Sequence, residues 1–335
     1  MEKSNQTNIV LGADDNYALP LAVSLCSILK NVPSTAALQI FILDGGITEK
    51  SKKRLHNVFK KNGRHHAMTF IEPDLSLIKD LPANGRPPSM YLPLLIPGLL
   101  PENCKKAIFL DCDLILESDI TKMEQVAEGD AILWAVRDVL IQTLSDPKGV
   151  SNYRSYGGSS DLPYFNSGVM LIDLELWRKE NVTEQAFRYV EENGDTMYHC
   201  DQEALNAVLI NKWQELDPRW NQQGCIYWPE VLPETEFTKD IMKDYNQLIN
   251  EPFIIHFLSP SKPWNYKCMH PEARKFLFYL KESGWFSKAG WKIWWYRFYV
   301  RRFLWLFSDL RNVLNQINFK NIKAKKPVSL GLEVK

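Results

Sequence analysis

The chain has 335 residues, 45% hydrophobic and 24% charged, a balance that suits a soluble globular protein with one broad α/β domain or two ordinary ones. Lysine plus arginine and aspartate plus glutamate each total 40, so the overall charge argues against generic nucleic-acid binding. Cys26, Cys104, Cys112, Cys200, Cys225 and Cys268 show no CxxC or metal-ligand spacing, which predicts reduced thiols, no zinc and a cytoplasmic setting. Residues 1–8 are polar and carry no secretory pattern, and no apolar run reaches the roughly 18 residues of a membrane-spanning helix.

Residues 8–13 form a short apolar strand ending at Gly12 and Ala13, followed by Asp14, Asp15, Asn16 and Tyr17 and a helical pattern over 19–29. Such a βα junction is a common nucleotide site, because small residues allow close backbone approach, although GxGxxG is absent and a plain helix start explains the same residues. A second strand over 38–44, a polar helix opened by Thr48 and running to Phe59, and a third strand over 67–71 follow. Six prolines between Pro82 and Pro101 predict a loop with broken helices.

Residues 107–116 are an apolar run interrupted only by Asp111 and Asp113, which reads as a buried strand ending in an acidic pair. Residues i and i+2 of an extended segment point the same way, so these carboxylates suit one hard cation such as Mg²⁺ or Mn²⁺, with Cys112 facing the other side; capping of the next turn is the plainer alternative. A strand over 131–136 ends at Arg137 and Asp138. A Gly-, Ser- and Tyr-rich stretch over 142–163 predicts a mobile surface loop hinged at Gly149, Gly157 and Gly158. Residues 164–174 predict a turn into a strand, 177–193 a helix, and 203–210 another, started at Asp201 and Gln202. The late strand 253–257 carries His256. A lone histidine after an apolar run is ordinarily a core residue, but with Lys262 six residues on it completes an Asp, Asp, His cation site with a positive charge for phosphate oxygens. The order of elements predicts a three-layer α/β fold around a parallel sheet.

Gly12-Ala13-Asp14-Asp15-Asn16-Tyr17, Phe109-Leu110-Asp111-Cys112-Asp113, Phe165-Asn166-Ser167-Gly168, Asp201-Gln202 and the segment from His256 through Ser259 and Lys262 to Trp264 stand in the order found in family 8 glycosyltransferases. Over roughly residues 8–270 the chain resembles bacterial lipopolysaccharide galactosyl- and glucosyltransferases. The resemblance implies a GT-A, Rossmann-like fold with a mixed, mostly parallel sheet flanked by helices. It also implies retaining transfer of a hexose from a UDP-sugar to a saccharide or lipid-linked glycan, with Mn²⁺ or Mg²⁺. Gly12, Ala13, Asp14, Asn16 and Tyr17 would then hold the uridine, and Asp111, Asp113 and His256 the metal. Ser259 and Lys262 would contact the diphosphate, Asn166, Asp201 and Gln202 the donor sugar, and Asp138 would lie near the acceptor. Gln202 and Asp201 are expected to act electrostatically, since an amide is a poor nucleophile.

Related enzymes carry a basic residue where Pro93 stands in Tyr91-Leu92-Pro93-Leu94, and Arg86 is the nearest replacement. Two other readings stay open at this point: a phosphatase of the haloacid-dehalogenase type, whose nucleophile loop is also a hydrophobic run followed by DxD, and a non-catalytic nucleotide-sugar binder. Residues 1–284 are expected to form the catalytic domain and 285–335 a basic, aromatic helix with a flexible tail. On that helix Trp291, Trp294, Trp295, Phe298 and Trp305 share a side near Arg297, Arg301 and Arg302. This predicts peripheral attachment of residues 285–311 to the anionic inner face of the cytoplasmic membrane, the alternative being a helix packed on the catalytic domain.

Overall fold

The computed structural model describes residues 6–323 except 64–65, 83, 128 and 259–261, with side chains described as far as residue 307. Its strands are β1 (Gln6–Ala13), β2 (Ala37–Asp44), β3 (Ala67–Ile71), β4 (Lys106–Leu110), β5 (Leu114–Leu116), β6 (Leu133–Arg137), β7 (Phe165–Asp173), β8 (Trp213–Glu215), β9 (Gln222–Gln223) and β10 (Ile254–His256). Seven of them form one sheet in the order β3-β2-β1-β4-β7-β6-β8, and β5, β10 and β9 form a small second sheet.

The half β3-β2-β1-β4 is parallel, as the alternation of strands and helices predicts. Ile9, Val10, Leu11, Ile40, Ile42, Ile108 and Leu110 are fully buried, the pattern of strands covered on both faces. Beyond β4 the sheet turns mixed, because β7 pairs antiparallel with both β4 and β6. The reversal has a local consequence: it sets the first residues of β7, Asn166 to Gly168, against the carboxyl end of β4. The amide of Asp111 donates to the carbonyl of Gly168 at 2.8 Å.

The strand ends at the acidic pair, as the sequence predicts, and the short strand β5 follows it. The chain leaves the large sheet at Asp111 and joins the small one at Leu114, since two carboxylates cannot continue a buried ladder without partners. The helix Ala18–Asn31 holds this break in shape. The buried hydroxyl of Ser24 faces the carbonyls of Cys112 and Leu114 at 2.8 and 2.6 Å, Ser27 Oγ accepts from the amide of Leu116, and Asn31 donates to the carbonyl of Leu116. Three polar residues on one helix face thus supply the hydrogen bonds that the broken ladder lacks.

Thr48 caps its helix as expected, accepting from Ser51, and the helix runs on to Asn62. The helix predicted over 177–193 is two helices, Leu174–Lys179 and Val182–Asn193, separated at Asn181, whose φ of 51° breaks the turn. Residues 142–163 are fastened where a mobile loop was predicted. Leu144 and Val150 are buried in the core, Leu144 and Leu162 share a backbone bond, and a Cβ at Gly149 would lie 2.5 Å from the carbonyl oxygen of Leu144. Gly149 and Gly158 therefore serve close packing, and of the three glycines Gly157 alone has a positive φ, at 78°.

The long C-terminal helix, Lys288–Lys323, starts against the catalytic body. Trp285 and Phe298 are buried, Trp291 and Trp294 pack on the main core, and Trp294 stacks on Phe286 and Phe298 at 5.7 and 5.0 Å between ring centres. Arg302 donates to the carbonyls of Tyr266 and Cys268. The tryptophan side, predicted to meet lipid, is thus the side that docks inward, because stacked indoles bury more apolar area against the core than the aliphatic side offers.

Candidate active site

The two sheets meet at the carboxyl end of β4, where ligands of open α/β sheets gather. Asp111 and Asp113 lie in the turn between β4 and β5, and His256 ends β10, paired with Leu114. His256 Nε2 is 3.2 Å from Asp113 Oδ1 and 3.5 Å from Asp111 Oδ2, and the three ligand atoms lie within 4.8 Å of one another. Lys262 Nζ pairs with Asp113 Oδ2 at 2.5 Å and also donates to the carbonyl of Phe257.

The protonation of His256 follows from its neighbours. The amide of Gly168 donates to Asn166 Oδ1, so that oxygen is an acceptor, and Asn221 Nδ2 donates to it as well at 2.9 Å. Asn221 Oδ1 therefore faces His256 Nδ1, at 2.9 Å, and accepts its proton. Nε2 points at the two carboxylates, an arrangement that calls for positive charge, either a proton on Nε2 or a cation held between the three groups. The donor set, two carboxylate oxygens and an imidazole nitrogen, suits Mn²⁺ or Mg²⁺. Gly168 makes the approach possible, since a Cβ there would stand 2.2 Å from His256 Cε1 and 2.7 Å from Asp111 Oδ2.

The charges bear this out. Burial of the surroundings and the Asp113 carboxylate push Asp111 upward. Burial also raises Asp113, but His256 and Lys262 outweigh it and hold that carboxyl well below the usual range. Tyr17, edge-on to Trp264 at 5.8 Å, is pushed up to about 12 by burial and by the charges of Asp113 and Asp111.

From the Asp111, Asp113, His256 cluster a chain of polar side chains runs along the cleft. Asn221 joins His256 to Asn166, and Asn166 Nδ2 reaches Asp138 Oδ2 and Gln202 Oε1, both at 3.1 Å. Gln202 Oε1 also accepts from the amide of Ser167, and Gln202 Nε2 donates to Asp138 Oδ2. Asp138 Oδ1 takes the amides of Leu140 and Ile141. With four donors satisfied, Asp138 orients Gln202 and Asn166 and is no free base. Asp201 is 5% exposed, and burial together with the charge of Asp111 pushes its carboxyl up to about 7. It follows Cys200, a non-glycine residue with a positive φ of 22° at the start of the helix Cys200–Val208, a strained conformation of the kind that collects at functional sites.

Asp111, Asp138, Asn166, Asp201 and Gln202 thus share one cleft with Arg86. Pro93 is buried in the helix Leu92–Leu99, away from any role as a cation, whereas Arg86 lines the cleft. The turn after β1 is less decisive. Asp14 caps it, accepting from the amide of Tyr17 and from Asn16 Nδ2, and a Cβ on Gly12 would make ordinary contacts with Leu92 and Leu43. Ala13 is buried beneath that turn. Ser259 lies outside the described residues.

The family model described as glycosyl transferase family 8 matches residues 8–268. The chain belongs to glycosyl transferase family 8. General stress protein A of Bacillus subtilis is 32% identical over 289 residues, 85% of this chain and 96% of that protein. The lipopolysaccharide 1,3-galactosyltransferase of Salmonella typhimurium is 24% identical over 84% of this chain and 80% of its own length. Among solved structures, the galactosyltransferase LgtC in complex with donor and acceptor sugar analogs has a TM-score of 0.70 at 25% identity, over 82% of this chain and 96% of that one. The fold of this family 8 glycosyltransferase is accordingly the GT-A architecture that the resemblance implied, and the phosphatase reading is set aside.

Asn221 was not legible in the sequence of this family 8 chain. It lies in Trp220-Asn221-Gln222-Gln223, a short polar run with no motif around it, and its role appears only when β9 and β10 pair.

Proposed function

We propose that the protein is a retaining hexosyltransferase that moves galactose or glucose from a UDP-sugar to a saccharide acceptor, a lipopolysaccharide or another lipid-linked glycan. The observation that carries this reading is the Asp111, Asp113, His256 cluster, whose three ligand atoms lie within 4.8 Å of one another with His256 Nε2 turned toward both carboxylates. A divalent ion held there would neutralise charge on the departing diphosphate. Lys262 adds a second positive charge on the same side, and Tyr17, Asp14 and Asn16 stand at the mouth of the uridine end. Asn166 and Gln202, locked by Asp138, hold the donor sugar in one orientation, and Asp201 lies close enough to respond to developing positive charge on the ring. A leaving diphosphate can itself take the acceptor's proton on the same face, so no side-chain base is required, which fits the saturated Asp138.

The test is incubation with UDP-galactose or UDP-glucose and Mn²⁺, followed by UDP release and the anomeric configuration of the product. Release that depends on Mn²⁺ with the donor's configuration kept supports the reading. Tight UDP-sugar binding with no release favours the non-catalytic binder.

We further propose that the C-terminal helix lies on an anionic membrane surface through the side opposite its tryptophans. Ile293, Tyr296, Val300, Phe303, Leu304 and Phe307 are 37–71% exposed and fall within about one third of the helix circumference. Lys292 borders this stripe on one edge and Arg297 and Arg301 on the other, each exposed. Each cation near an anionic leaflet contributes on the order of 1 kcal/mol, added to the apolar burial. Among the described residues no helix is long and apolar enough to cross a membrane, so this contact is peripheral.

A further inference from the structure

The cleft of about 320 Å³ that contains Asp111 and the Asn166–Gln202 pair has another wall, made by Arg86, Lys148 and His199. Three facts make it unlike an ordinary charged surface. Among the described residues neither Arg86 nor Lys148 has a carboxylate within ion-pairing distance. Arg86 Nη1 is held by the carbonyl of Tyr198 and by Cys200 Sγ at 3.7 Å, which fixes the guanidinium without neutralising it. His199 lines the same cleft, and its Nε2 atom is buried with no hydrogen-bond partner among the described residues.

The carboxylates nearby are engaged by neutral donors and are not ion-paired with these cations. Asp138 is bonded to two amides and two side-chain amides, and Asp146 accepts from the amide of Lys148. Burial and the two cations keep His199 below its ordinary range, so at neutral pH it is an uncharged hydrogen-bonding group. What the wall lacks is a compact anion with several acceptor oxygens.

We propose that this wall is an anion subsite for the acceptor, receiving a phosphate or carboxylate carried by the saccharide to which the sugar is transferred. The proposal rests on the transferase reading above, which sets the donor diphosphate at the Asp111–Asp113 end. Arg86, held at Tyr198 and Cys200 just before Asp201, and Lys148 line the same cleft as Asp111 and Asp201. Lys148 and Arg86 are solvent-exposed, so the wall opens outward and admits an acceptor longer than one sugar. Apolar Met90, Leu140 and Ile141 beside it offer a surface for a sugar ring.

The experiment is calorimetry on the full chain with MnCl₂ and UDP, titrating methyl α-glucoside and its 6-phosphate, and in a second arm comparing UDP-glucose with UDP-glucuronate. The subsite predicts that the phosphorylated glycoside binds on the order of tenfold tighter than the neutral one. Lys148→Gln and Arg86→Gln should each remove that preference and Lys148→Arg should keep it. Equal binding of the two glycosides overturns the proposal. A preference for UDP-glucuronate that disappears in the same variants also overturns it, since the anion then belongs to the donor. Because binding needs no turnover, a protein that prefers the phosphorylated glycoside yet never consumes a UDP-hexose keeps the subsite and loses the transferase reading.

Discussion

Asn221 Oδ1 accepts the Nδ1 proton of His256 at 2.9 Å, and this one bond decides which imidazole nitrogen faces Asp111 and Asp113. The bond ties the Asp111, Asp113, His256 cluster to the Asn166–Gln202–Asp138 network, because the other end of Asn221 donates to Asn166. Asn221→Ala is expected to weaken Mn²⁺ binding roughly 10–100-fold, as loss of a buried partner to a metal-bound histidine does elsewhere. Isothermal titration with Mn²⁺ checks it, and unchanged affinity would show that His256 does not depend on this partner.

Gly168→Ala should do comparable harm from the opposite side. The new methyl group would meet His256 Cε1 at 2.2 Å, so the ring or the strand must shift. A cost of about 1–3 kcal/mol in stability is expected, with Mn²⁺-dependent turnover lost out of proportion to it. A crystal structure of the variant with an undisturbed His256 and full Mn²⁺ affinity would refute the steric account.

Asp113→Asn and His256→Ala are expected to reduce Mn²⁺-dependent consumption of UDP-hexose on the order of 100-fold or more while the chain stays folded; Asp113→Asn keeps the side-chain volume, whereas His256 is fully buried and its replacement by Ala also costs stability. Circular dichroism reports the fold and UDP release the activity. Retention of wild-type turnover in either variant would remove that residue from the ligand set.

Asp201 gives stability a pH dependence of definite sign. Its carboxyl titrates at about 7 in the folded chain, against an ordinary 3.8. Below about pH 4 it is protonated whether the chain is folded or not, so it costs nothing. As pH rises from there through 7 the unfolded chain ionises first and stability falls, by up to about 4 kcal/mol. Asp201→Asn, assayed with EDTA present, should therefore gain stability over the parent at pH 8 and not at pH 4. Equal differences at the two pH values would place the carboxyl in an ordinary environment.

For the C-terminal helix, the full chain should float with vesicles containing phosphatidylglycerol and should do so less at high salt. Phe303→Ser with Leu304→Ser should reduce flotation without loss of fold, since both residues are more than half exposed. Flotation unaffected by these changes would move the contact to another surface.

The sequence by itself determined the parallel half of the sheet, the polar helix opened by Thr48, and the composition of the cation site. Those features are written locally, in the burial pattern of β1, β2 and β4, in a cap, and in two aspartates one residue apart. Motif order across the chain also gave the family, because several short matches in sequence are far more restrictive than any one. Tertiary structure alone decided the rest. Whether Trp294 or Phe303 faces the body depends on which side of an aromatic helix finds a complementary surface, and both sides of Lys288–Lys323 are apolar enough to qualify. Residues 142–163 carry the glycines of a flexible segment, yet Leu144 and Val150 find core positions that bind it down. Asn221, at the end of the helical turn before β9, and Gly168, in β7, come to His256 from separate elements, and hydrogen-bond direction and a 2.2 Å clearance are properties of that meeting rather than of any one segment. Likewise Arg86 and Lys148 reach the cleft from two loops, where the absence of nearby acid partners, and not their own identity, gives them a role.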